Sequence, residues 1–197
     1  MSTAVDPAGV QGLVAAEVER QLRGFREQTE RTLAELRERT VDNRAALVVF
    51  SGDLDKVFAG FVIATGAAAA GLDTSMFFTF WGLAALKKKG ARSGSKNVME
   101  RMFAAMTPSS TESLGTSRLN FFGMGAIMLR KMMKDKQIAS LEELMQLAGE
   151  LGVKLIACTM SMDAMGVGKD ELIDGLEYGG VATFMADAAS SRVTLFI

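Results

Sequence analysis

Cys158 is the one cysteine of the chain and the side chain best suited to covalent chemistry. It ends the apolar run Leu155-Ile156-Ala157-Cys158, which reads as a buried strand, and Thr159-Met160-Ser161-Met162-Asp163 follow it. In open α/β sheets, ligands bind just beyond the carboxyl ends of strands. A helix starting at Ser161 or Asp163 would aim unsatisfied N–H groups and a positive dipole end towards the sulfur, and both favour the nucleophilic thiolate. A strand-end cysteine is more commonly an inert small hydrophobe, so position alone favours that reading over a nucleophile.

Ser51-Gly52-Asp53, followed by Leu54-Asp55-Lys56, ends an earlier apolar run and offers a second candidate. Glycine allows close backbone approach there, and exposed N–H groups could hold an anion such as a persulfide or a sulfur oxyanion. The competing reading is an ordinary helix N-cap by Ser51 or Asp53. Trp81-Gly82 and Tyr178-Gly179-Gly180 close other apolar runs and are expected at the same edge. Met160, Met162 and Met165 surround the cysteine and could form a soft apolar pocket shielding a reactive sulfur. Met124, Met128, Met132 and Met133 read as core filling. The acidic pairs Glu142-Glu143 and Asp170-Glu171 read as solvated surface.

Composition removes several alternatives. Among 197 residues there is no His, which excludes Ser–His and Cys–His pairs, imidazole metal ligands and imidazole pH switching. A single Cys excludes an intrachain disulfide and a thiolate zinc cluster, so no metal is expected, and it suits a reducing, cytoplasmic compartment. The formal charge of −1 gives no basic field for nucleic acid. Neither a G-x-G-x-x-G nor a Walker pattern is present, and no cofactor is expected.

The elements that must position these residues alternate. Ala45–Phe50, Thr74–Phe80, Val153–Ala157, Leu176–Tyr178 and Val193–Ile197 predict strands. Residues 54–71, Leu141–Leu151 and Val181–Ala189 predict helices, with Gly60, Gly66 and Ala67–Ala70 as small surfaces for close packing. Strands apolar on both faces, alternating with helices, indicate a parallel sheet covered on both sides. A long insertion, residues 83–140, separates the second strand from the third; Val98–Met106 and Met124–Met133 read as helices within it, forming a lid, a partner surface or a plain cover.

Residues 1–44 form a distinct extension. Ala15, Val18, Leu22, Phe25, Thr29, Thr32 and Leu36 recur at steps of three and four, the spacing of a coiled-coil seam. Glu19–Arg23, Glu27–Arg31 and Glu35–Arg39 have the favourable acid-before-base order. The segment reads equally as an oligomerisation or docking helix and as a helix lying on its own domain; it lacks the apolar core of a secretory signal. Val57–Leu72 and Thr74–Leu86 carry no charge, but each is shorter than the ~20 residues a span needs, so membrane association is the weaker reading.

Val48-Val49-Phe50-Ser51-Gly52-Asp53-Leu54-Asp55-Lys56, Phe80-Trp81-Gly82, Ile156-Ala157-Cys158-Thr159-Met160-Ser161-Met162-Asp163 and Asp174-Gly175-Leu176-Glu177-Tyr178-Gly179-Gly180-Val181-Ala182 together resemble the DsrE/DsrF/DsrH-like family, closest to its long single-cysteine branch. The resemblance covers residues 45–197. It implies a flavodoxin-like α/β fold of about five strands and a sulfur-carrier or sulfurtransferase role, with a persulfide on Cys158. Ser51, Gly52, Asp53, Trp81, Gly82, Met160, Ser161, Met162, Tyr178, Gly179 and Gly180 would form the surrounding site. The implied exchange partners are rhodanese-like or TusA-like proteins, and a homo-oligomer is expected. The branch is often labelled peroxiredoxin-like, yet no Thr-x-x-Cys precedes Cys158. The competing reading is a non-catalytic oligomeric scaffold with a buried structural cysteine; reduction of small oxidants through a sulfenate is a third.

Overall fold

The structure, a computed structural model, describes residues 7–39, 42–90, 108, 110–118 and 123–197. The chain divides into two units, Met1–Val41 and Asp42–Ile197. The first is helix α1, Pro7–Arg39. Proline suits its opening turn, where the missing N–H would have no partner anyway. Within it Glu17 pairs with Arg20 and accepts from Gln21. The expected Glu19–Arg23 and Glu27–Arg31 pairs do not close. Solvated pairs of this kind are worth only ~0.2–0.5 kcal/mol, too little to hold long side chains in place.

The second unit is a five-stranded, wholly parallel sheet in the order β4-β3-β2-β1-β5. The strands are β1 (Asp42–Val49), β2 (Asp73–Phe78), β3 (Lys154–Cys158), β4 (Glu177–Gly179) and β5 (Ser191–Phe196). From β1 to β4 each crossover steps the same way, and β5 then returns to the far side of β1. With right-handed crossovers, the first connections cover one face and the last covers the other. The core agrees. Leu47, Val49, Met76 and Phe78 pack with Val57, Phe61 and Ala64 of α2 (Leu54–Ala69) and with residues of the insertion. On the opposite face Phe77, Ile156 and Cys158 form a small cluster of their own.

Gly60 does serve close packing: a Cβ there would touch Met76 and Ile197 at 3.5 Å. Gly66 does not, because nothing lies within 4 Å of its Cβ position. It sits exposed on the outer face of α2.

Strand β2 stops at Phe78, two residues earlier than expected, and Phe80–Leu86 coils into a tight 3-10 turn whose Leu83–Leu86 are buried. Of the insertion helices, Val98–Met106 lies outside the described residues. The second is α3 (Met124–Asp135), but Met124, Met128 and Met132 are exposed and so do not fill the core. At four-residue spacing they form one stripe, and it is the stripe carrying Ala126 that turns inward. Next comes α4 (Leu141–Glu150), opened by a reciprocal cap in which Ser140 Oγ accepts from Glu143 N and Glu143 accepts from Ser140 N. Helix α4 buries Leu141, Leu144 and Ala148 in the α2 face of the core. No helix among the described residues is long and apolar enough to cross a membrane.

Candidate functional site

Two groups of predicted residues assemble at the carboxyl edge of the sheet. The first lies beyond β1 and β2. Gly82 N donates to Phe50 O at 2.9 Å, and a Cβ on Gly82 would stand 2.1 Å from Val49 O. A Cβ on Gly52 would stand 2.7 Å from Trp81 O. Only glycine permits this approach, so the loops after the two strands are pressed into one body. Ser51, Gly52, Asp53, Phe50, Lys56 and Trp81 line a cleft of about 430 Å³ there.

The donors of this loop are largely engaged. Phe50 N and Ser51 N both donate to Ile197 O, Asp53 N to Ser51 Oγ, and Leu54 N to Gly115 O. Ser51 Oγ in turn donates to Asp53 Oδ2 at 2.8 Å, and Lys56 Nζ donates to the same oxygen at 2.9 Å. The loop is therefore a rigid cleft wall and not an open anion cradle. Asp53 stands at the N-cap of α2 but makes no side-chain capping bond, because Ser51 and Lys56 hold its carboxylate. Next to it, Asp55 accepts from Ser117 N and Oγ and so ties the insertion to the first turn of α2. Partial burial pushes the Asp55 carboxyl up, but the Ser117 bonds, with the Lys56 charge, outweigh it and hold the group below its ordinary 3.8.

The second group surrounds Cys158, which pairs in register with Gly179 of β4 and is 1% exposed. Helix α5 (Thr159–Met165) starts immediately after the cysteine, earlier than the expected Ser161 or Asp163, so Cys158 itself is its N-cap residue. The early start is anchored from both sides. Thr159 Oγ1 donates to Gly179 O at 3.5 Å, and the Ser161 and Thr79 hydroxyls share a 2.8 Å bond to the end of β2.

The methionines do not shield the sulfur. Met162 and Met165 pack into the main core on the α2 face, and Met160 is exposed. Cys158 instead belongs with Phe77, Ile156 and Phe184. Phe184 comes from α6 (Val181–Ser190), a helix with no buried residue. Gly180 stands at its N-cap, and a Cβ on Gly179 would lie 2.9 Å from Thr183 Oγ1, so this glycine lets the first turn of α6 settle onto the sheet. Tyr178 is partly exposed, with the Lys169 ammonium 4.4 Å from its ring centroid.

The predicted residues thus form two clusters separated by the width of β2, and Cys158 is not among the cleft-lining residues. With strands ~4.8 Å apart, the ends of β1 and β3 are roughly 10 Å apart. Sequence reasoning missed Phe77, Phe184, Thr79 and Lys169. A signal for Phe77 existed: Ile156 lies two residues before Cys158 and so shares its face, and Phe77 is the register partner of Ile156.

An open, parallel, flavodoxin-like sheet with a lone cysteine at the carboxyl end of a central strand defines the class. The chain belongs to the DsrE/DsrF/DrsH-like family, whose model matches residues 41–196. It is 44% identical over 154 residues to an uncharacterized protein, YrkE, of Bacillus subtilis, covering 78% of this chain and 96% of that one. It is 36% identical over 163 residues to the sulfur carrier protein DsrE2 of Allochromatium vinosum, covering 78% and 98%. The solved ychN protein of E. coli aligns over 78% of this chain and 99% of its own, at 12% identity and a TM-score of 0.43. Helix α1 precedes the matched segment.

Proposed function

We propose that this protein is a sulfur carrier, holding a persulfide on Cys158 and passing it to a thiol of another protein. The observation that supports it most is the position of the lone cysteine at the strand edge where such folds bind ligands, in a family that includes a relative named as a sulfur carrier. The Cys158 thiolate attacks the outer sulfur of a donor persulfide. The donor S–S bond breaks, the donor leaves as a thiolate, and Cys158–S–SH forms. An acceptor thiolate then attacks that terminal sulfur and releases the Cys158 thiolate. No external oxidant or reductant is consumed, and little acid–base help is needed, which fits a chain without histidine.

Because Cys158 is covered, exchange requires α6 to yield. Phe184 is the group that must move, and a helix with no buried side chain moves at small cost. The cleft beside Trp81 and Phe50 would receive the partner's segment while its thiol reaches the sulfur. Rhodanese-like or TusA-like proteins fit as donor or acceptor, in a cytoplasmic, homo-oligomeric setting. The burial of Cys158 favours a second reading, a scaffold in which the cysteine only packs.

Intact-mass analysis after incubation with polysulfide or thiosulfate separates the two. The carrier gains one or more sulfur atoms, and Cys158→Ser gains none. A native protein that takes up no sulfur from any donor is the scaffold.

A further inference from the structure

We infer that α1 is a pairing element: it docks on α1 of a second copy of this chain, antiparallel and in one register. This stands independently of the sulfur-carrier reading. Val18, Leu22 and Phe25 are 49%, 50% and 69% exposed, an apolar seam at coiled-coil spacing. Thr29 and Thr32 continue the seam, and their hydroxyls already donate to the carbonyls of Phe25 and Gln28 one turn back. Burying these threonines in a helix pair would therefore strand no donor.

Charge selects the orientation. Glu19 and Arg26 lie seven residues apart, at the same flank of the seam in successive heptads. In a parallel pair that flank meets the opposite flank, setting Glu19 against Val14 and Arg26 against Gln21, with no ion pair. In an antiparallel pair the flank meets its own copy. Setting Leu22 opposite Phe25, and Val18 opposite Thr29, brings Glu19 of each copy beside Arg26 of the other, twice by symmetry. A slip of one heptad in either direction opposes Glu19 to Glu19 or Arg26 to Arg26. The matched register also centres the overlap beside residue 23, the midpoint of Pro7–Arg39, so both helices pair over their whole length.

The test uses the full chain carrying Cys158→Ser, with a spin label attached through Ala34→Cys, and pulsed dipolar spectroscopy between copies. At a rise of about 1.5 Å per residue the antiparallel register puts the two labels about 30–40 Å apart. Glu19→Arg or Arg26→Glu alone should reduce that population about tenfold, and the two together should restore it. A distance of about 10–20 Å, the parallel arrangement, overturns the inference. So does the absence of an intermolecular distance, as expected of a helix lying on its own chain, or a population indifferent to the charge swaps.

Discussion

The rings of Phe77 and Phe184 meet at 5.4 Å between centroids, and they join β2 to α6 in the same buried cluster as Cys158. Access to the sulfur is thereby coupled to one aromatic contact. Phe184→Ala should speed iodoacetamide alkylation of native Cys158 at least tenfold. Since Phe184 is only partly buried, the loss of stability should be about 2 kcal/mol, below that of a full core truncation. Alkylation rates with a urea unfolding curve check both, and an unchanged rate would mean that another element gates the thiol.

The two strand-edge glycines should differ in cost. Gly82→Ala drives a methyl into the Val49 carbonyl, a backbone atom that cannot rotate away, and should cost about 3 kcal/mol or more. Gly179→Ala meets Thr183 Oγ1 at 2.9 Å and its Cβ at 3.0 Å, contacts relieved by shifting the first turn of α6, a helix with no buried residue, and should cost about 1 kcal/mol. The second variant should also alkylate faster, because the first turn of α6 is lifted. Urea midpoints of the two variants, compared side by side, test the order.

Asp55→Asn should weaken the tie between α2 and the insertion by about 1 kcal/mol at neutral pH, a figure reduced for solvent screening. The folded carboxyl lies below its ordinary 3.8, so its contribution is full above that pH and is lost as pH falls through the lowered folded value. The stability gap between the native protein and Asp55→Asn should therefore close in acid. Denaturation at pH 7 and at successive steps below pH 4 measures it; a gap independent of pH would remove the ionised carboxylate from the account.

A chain beginning at Asp42 should take up sulfur as the full chain does, because the family match and both strand-edge clusters lie beyond α1. Loss of loading in that chain, followed by intact mass, would place α1 in the transfer itself.

The inner strands were legible because β1, β2 and β3 end in continuous apolar runs, and Ala45–Val49 shows why: every one of these residues is buried, whereas β4 and β5 are mostly exposed. Cys158 at the end of β3 was legible for the same reason. The surroundings of the sulfur were not. Met162 is near Cys158 in sequence, but α5 begins at Thr159 and carries it to the opposite face, whereas Phe184 arrives from 26 positions downstream. Composition could not show which face a helix residue takes until the first residue of that helix was known. The outward turn of Met124, Met128 and Met132 has the same origin: four-residue spacing identifies a stripe without saying which side of α3 the sheet lies on.

The carbonyl of Ile197 receives the amides of both Phe50 and Ser51, and the Ile197 amide returns to Val48. The loop at the end of the first strand is thus completed by a residue nearly 150 positions later. During synthesis, β1 and β2 can pair while those two amides still face water. The cleft wall cannot close until residue 197 has left the ribosome and β5 has slid in beside β1. Closing so long a loop is slow, and it comes after the local pairings are made. A chain with four strands in place would therefore hold Cys158 at the carboxyl end of β3 while the neighbouring cleft is still unbuilt, and that cleft would take shape only once Ile197 docks beside Val48.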